Sequence, residues 1–183
     1  PDPSWTWDDM RIAARRLTQD TNGDGMPDIW GFHIQELGNV PFDPVVRAYG
    51  GGILTEDRKA AAINSRAAAE VLELFYGMVP EDRSNAFRQG AGPFASGRVA
   101  MEVLGSWSVR NIDNAGVNYG VTMVPQGPVG RSSYGGSNVW AVIKRPSQDM
   151  EAVWTIMKEL VSYETLRRLS NEYGLPARRS LIP

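Results

Sequence analysis

The run Asp20-Thr21-Asn22-Gly23-Asp24-Gly25-Met26-Pro27-Asp28 holds the densest oxygen chemistry in the chain. Asp20, Asn22, Asp24 and Asp28 take relative positions one, three, five and nine, and Gly25 at position six permits a sharp turn. This is the front of an EF-hand-type calcium loop, in which alternate side chains point inward and a backbone carbonyl, here that of Met26, fills position seven. Position twelve, normally a bidentate Glu, is Gly31, so another segment or water must complete the shell. Three carboxylates within nine residues repel one another without a cation, which favours a weakly bound structural calcium. The competing reading is an Asx and glycine turn between a helix and a strand.

Gly105-Ser106-Trp107 is the second feature. A tryptophan on the first turn after a strand, at a glycine bend, can present a flat face to a sugar; a packed core tryptophan is the alternative. Trp7, Trp30, Trp140 and Trp154 are expected as packing residues. The third feature is glycine: Gly50-Gly51-Gly52 and Gly135-Gly136-Ser137-Asn138 allow a ligand to approach the backbone, and Ser137 and Asn138 can add hydrogen bonds. Catalytic sets are poor. His33, the single histidine, has no Ser or Asp partner in its motif, and reads as structural. Glu36, Asp43, Glu102 and Asp113 are available carboxylates, but nothing selects the pair that a glycosidase needs.

These residues need elements to hold them. Thr6 caps a helix whose stripe is Trp7, Met10, Ala13, Ala14 and Leu17, with Asp9 three residues after the cap. Residues 29–34, 98–104, 118–124 and 139–143 read as strands. Residues 44–49 form a short helix. Asn64 or Ser65 caps a longer one, burying Ala68, Val71, Leu72, Phe75 and Met78, with Pro80 beyond its end. A helix near Pro93 is expected within 87–96. Amphipathic helices follow at 149–161 and 163–173, with Gly174 closing the second. The glycine- and proline-rich loop 125–138 is the clearest boundary. Helices mixed with strands indicate an α/β protein.

Composition narrows the classes. The chain has 183 residues, 42% of them hydrophobic, and a net charge of −2, values of a globular domain with no footprint for nucleic acid. No cysteine is present, which excludes disulfides, thiolate zinc sites and a Cys nucleophile. No apolar run reaches the ~20 residues of a membrane span. The opening Pro1-Asp2-Pro3-Ser4 carries no signal peptide and no Met, as expected of a fragment or mature segment.

The order of motifs resembles the family 1 extracellular solute-binding proteins, the maltose-binding-like receptors of ABC importers. It runs through Thr6-Trp7-Asp8-Asp9, 20–28 with Trp30-Gly31-Phe32, and Gly50-Gly51-Gly52-Ile53-Leu54. It continues through Phe94-Ala95-Ser96-Gly97-Arg98-Val99-Ala100-Met101, Gly105-Ser106-Trp107, Tyr119-Gly120-Val121 with Pro125-Gln126-Gly127-Pro128, and Gly135-Gly136, and closes with the 152–160 helix and Gly174-Leu175-Pro176-Ala177-Arg178. The resemblance implies an α/β, type II periplasmic-binding-protein-like lobe, partial, with helices flanking a mixed sheet. Residues 1–130 would be the C-terminal lobe of a two-lobe protein, 131–138 a hinge-side loop, and 139–183 a strand and helices that pack on the N-terminal lobe. It implies a non-enzymatic receptor outside the cytoplasm, periplasmic or lipid-anchored, that binds a carbohydrate between two lobes and is read by ABC permease subunits. Trp107, Tyr49, Gly50, Gly135, Gly136, Ser137 and Arg178 match ligand-facing positions, and some relatives carry calcium in the loop matching 20–28. A carbohydrate-active hydrolase domain and a calcium-stabilised interaction module are the alternatives.

Overall fold

Helix α1 (Trp7–Leu17) starts on a complete capping box: the Thr6 hydroxyl accepts from the Asp9 amide and the Asp9 carboxylate accepts from the Thr6 amide. The Thr6 hydroxyl also donates to the Asp9 carboxylate at 2.7 Å, and this bond, then that of the Thr6 amide, hold the Asp9 carboxyl below the usual carboxylate range. Trp7, Met10 and Ala14 are buried, as the stripe requires, but Leu17 at the last turn is exposed. The computed structural model describes residues 3–34, 42–79, 83–85, 94–173 and 176–182. Glu36, Pro80, Pro93 and Gly174, and most of the helix expected over 87–96, lie outside them; its described end is a 3-10 turn, Phe94–Ser96.

Helix α2 (Phe42–Ala48) and α3 (Arg66–Gly77) pack on each other. Gly50 sits at φ +87°, its amide donating to the Arg47 carbonyl while Gly51 donates to Val46. This paired closure is a Schellman motif, and the left-handed residue in it is glycine for steric reasons. Ser65 caps α3 by accepting from the Ala68 amide. Ala68, Val71, Phe75 and Met78 are buried as expected; Leu72 is exposed, because no described residue covers that side of the stripe, and Leu74 takes its place in the core.

The core joins α1, α2 and α3 to Phe32 and Ile34 on the extended segment 29–34. That segment pairs through isolated parallel bridges, Trp30 with Val99, Phe32 with Asn85 and His33 with Glu102. Segments 29–34 and 98–104 thus lie side by side without a continuous ladder among the described residues. Residues 118–124 and 139–143 differ more: neither pairs as a strand, and Val121, Val139 and Ile143 are 84%, 80% and 73% exposed. An apolar alternating run becomes a strand only where a neighbouring strand pairs with it, and no such ladder is formed there among the described residues.

Two units share the chain: Pro1–Val103 with Ala115–Tyr134, and Leu104–Asn114 with Gly135–Pro183. In the second, α4 (Val109–Asn114) follows the 3-10 turn Ser106–Ser108, and α5 (Met150–Leu160) and α6 (Tyr163–Tyr173) pack together. Asp149 caps α5 through the Glu151 and Ala152 amides. Trp140 and Trp154, expected as packing residues, are 57% and 63% exposed. Their helical or alternating patterns mark an apolar face, and nothing described in that unit buries it. Trp7 and Trp30 are buried in the first unit.

Candidate functional site

Trp107 is carried by the turn Ser106–Ser108, which begins where Gly105 leaves its carbonyl to accept from the Ser108 amide. Its indole folds back over Gly105. A Cβ at that glycine would stand 2.2 Å from the ring carbon Cη2 and 2.3 Å from Cζ3. Any side chain there would displace the ring, so glycine is the seat of the tryptophan. With one face on the backbone, Trp107 remains 50% exposed. A flat apolar ring fixed at one face and open elsewhere is suited to the C–H face of a sugar.

Helix α6 packs against this turn, and its first residue, Tyr163, lies under the Arg178 guanidinium at 5.8 Å from the ring centroid. Trp107 and Arg178 therefore both adjoin α6 in the second unit. Gly135, Gly136, Ser137 and Asn138 belong to the same unit and are exposed in an irregular stretch; a Cβ on Gly135 would meet nothing within 4 Å. Tyr49 and Gly50 belong to the first unit. Tyr49 is half-buried on the core, and burial, then the charges of Asp8 and Glu70, raise its phenol above the ordinary range. Gly50 closes α2, and a Cβ there would touch Val129 at 3.4 Å.

The loop 20–28 is closed by Gln19 and Ile29, whose backbones exchange hydrogen bonds of 2.9 and 3.1 Å. Asp20 accepts from the Gly23 and Gly25 amides at 2.7 and 2.8 Å, Asn22 from Asp24 and Asp24 from Met26 at 2.8 Å. The Thr21 hydroxyl, then its amide, hold the Asp28 carboxyl below its ordinary range. Arg83 donates to the Gly25 carbonyl at 3.0 Å. These oxygens are turned to the loop's own backbone. Among the described residues, no three acidic or histidine groups gather where a metal could sit. Asp20, Asn22, Asp24, Asp28 and the Met26 carbonyl are right in type and order for calcium but do not form a ready cage. Gly31, at position twelve, is buried against α1, where a Cβ would stand 1.8 Å from the Ala14 carbonyl oxygen. Packing forbids a ligating side chain there.

Of the carboxylates weighed for hydrolysis, three are described, and the structure places them apart from one another in their roles. Asp43 pairs with Arg47 at 2.9 Å, and Asp113 lies on α4 of the other unit. Glu102 is 2.7 Å from His33 Nδ1. This His33–Glu102 pair, 69 residues apart in sequence, was not visible in any motif.

Residues 2–165 match the profile described as bacterial extracellular solute-binding protein. The chain belongs to that family. Among solved structures, a maltose/maltodextrin-binding domain from Bdellovibrio bacteriovorus bound to maltotriose superposes with a TM-score of 0.79 at 22% identity, over 99% of this chain and 50% of that one. An ABC substrate-binding protein from Listeria monocytogenes in complex with cycloalternan gives 0.76 at 24% identity, over 98% and 46%. A solute-binding protein from Thermotoga lettingae bound with α-D-tagatose gives 0.74 at 23%, over 98% and 48%. The chain thus has the fold of part of a type II periplasmic-binding-protein-like molecule, and spans about half the length of the structures it matches. Among its described residues, no helix is long and apolar enough to cross a membrane.

Proposed function

We propose that this chain is a large part of a sugar or oligosaccharide receptor for ABC-type import, and that it holds its ligand without transforming it. The observation that carries the reading is the Trp107 indole, seated on Gly105 and half open to solvent. Stacking on that ring would supply apolar burial, while the exposed backbone and side chains of Gly135, Gly136, Ser137 and Asn138 supply polar partners and Arg178 a planar donor. Tyr49 and Gly50 are proposed as ligand-facing positions of the first unit by itself. The proposal extends to ABC permease subunits as partners and to a periplasmic or lipid-anchored location. It also keeps residues 139–183 as the segment that packs on a second lobe, supported by the exposure of Val139, Trp140, Ile143, Trp154 and Ile156. In the full-length receptor, with maltotriose as the first sugar tried, Trp107→Ala is expected to weaken binding by about 1–3 kcal/mol, the value of burying a large side chain. That is about 5- to 150-fold in Kd. Unchanged affinity by titration calorimetry would remove Trp107 from the site.

We propose also that the 20–28 loop takes calcium weakly, since an ion must draw the carboxylates away from their amide donors. At about ten times its Kd, a ligand of the folded state adds about 1.4 kcal/mol, or about 3–5 °C in Tm for a chain of this size. Melts in millimolar calcium and in chelator should differ by that amount. Coincident melts dismiss the ion.

A further inference from the structure

We propose that Glu102 is a positioning residue: with His33 it forms a buried latch that fixes the chain where it leaves the first unit for the turn bearing Trp107. The Glu102 side chain is 2% exposed and that of His33 13%. A carboxylate taken out of water is costly unless its oxygens are engaged, and here both are. Oε1 lies 2.7 Å from His33 Nδ1, and Oε2 accepts from the Phe94 amide at 2.7 Å. One hydrogen is shared between Nδ1 and Oε1, while the Phe94 amide is the donor to Oε2. One side chain thus ties three stretches: segment 29–34, the 3-10 turn Phe94–Ser96, and segment 98–104.

The backbone repeats the attachment. His33 and Glu102 form a parallel bridge, His33 donates to the Met101 carbonyl at 3.0 Å, and Ala100 donates to Trp30 at 2.8 Å. At the start of segment 98–104, Arg98 Nε donates to the Asp28 carbonyl at 3.4 Å. The first stretch of the first unit ends at Val103, one residue after the latch, and Gly105-Ser106-Trp107 begins two residues later. The latch therefore stands three residues before Gly105, the seat of Trp107. Only the consequence for sugar rests on the Trp107 reading; the latch itself is tested without ligand.

Amide hydrogen exchange on the whole chain reads it. In Glu102→Ala, the His33, Ala100 and Ser108 amides are expected to exchange at least tenfold faster, with α3 amides changing less than twofold. Glu102→Gln, which keeps an acceptor for Phe94 and a hydrogen-bonding end for His33, should stay within threefold of the parent. Ser108 is the telling probe, because it lies past the latch in the second unit. An unchanged Ser108, an equal rise in α3, or a Glu102→Gln as damaging as Glu102→Ala overturns the proposal. If Glu102→Ala does not fold, His33→Ala is judged on the same amides, with at least a threefold rise at Ser108 expected and no rise overturning it. A receptor that fails to bind maltotriose but passes this exchange test loses the sugar reading and keeps the latch.

Discussion

Gly31→Ala is expected to abolish the cooperative fold of the first unit. The added carbon would lie 1.8 Å from the Ala14 carbonyl oxygen, 2.4 Å from its carbon and 2.6 Å from Cα. All three atoms belong to the backbone of α1, so no rotamer change relieves the clash. The same carbonyl accepts from the Thr18 amide at 3.0 Å and the Thr18 hydroxyl at 2.8 Å, and that hydroxyl accepts from the Gly31 amide at 3.0 Å. Moving the segment away breaks this chain of bonds as well as the Trp30 and Phe32 packing beside it. Overpacking that side chains can absorb costs about 1–3 kcal/mol; a clash against helix backbone should exceed about 4 kcal/mol. Gly23→Ala is the control. Gly23 has φ +78° with nothing within 4 Å of a Cβ, so only the left-handed backbone penalty of about 1–2 kcal/mol applies. Thermal unfolding by circular dichroism should show a clear transition for Gly23→Ala and none for Gly31→Ala. A Gly31→Ala protein melting within a few degrees of the parent would falsify the close approach.

That glycine also shows what the sequence could and could not reveal. Counted along the loop, Gly31 is the missing twelfth ligand; in the fold, it is the contact point between α1 and segment 29–34. Spacing identifies a position, but only packing says what the position is for. The helices were legible because their signals are local: Thr6 with Asp9, Ser65 and Asp149 are caps that act within one turn. Leu72 and Trp154 were misplaced by the same logic, since a stripe shows that a helix has an apolar face without naming what covers it. Segments 118–124 and 139–143 have strand composition, yet a strand is a relation between two stretches of chain. The His33–Glu102 pair escaped notice because neither residue belongs to a motif and their meeting depends on the parallel register of two distant segments. Trp107 stands out in the sequence by type and context, whereas its seat on Gly105 is visible only in the fold of the turn.

Phe75→Ala should be the most damaging side-chain truncation, costing about 3–5 kcal/mol. Phe75 is 2% exposed and sits where three elements meet. Its ring meets Trp7 of α1 edge-on at 5.6 Å and 86°, and lies parallel to Phe32 of segment 29–34 at 6.3 Å and 8°. Each such aromatic pair is worth about 0.5–1.5 kcal/mol beyond the area it buries. Removing the ring leaves a cavity bounded by a helix, a second helix and a paired segment, none of which can collapse without breaking backbone bonds. Against a typical total of about 5–15 kcal/mol, the loss is a large fraction. Phe75→Leu keeps most of the volume and should cost less than half as much, and Tyr76→Ala, 72% exposed one residue later, should stay within about 1 kcal/mol. Urea unfolding gives the order directly; equal midpoints for Phe75→Ala and Tyr76→Ala would place Phe75 outside the core. Tyr49 packs on this same cluster. The ligand contribution proposed for it should therefore weaken in Phe75→Ala even at temperatures where the chain remains folded, because a phenol can hold a sugar in place only as firmly as the core holds the phenol.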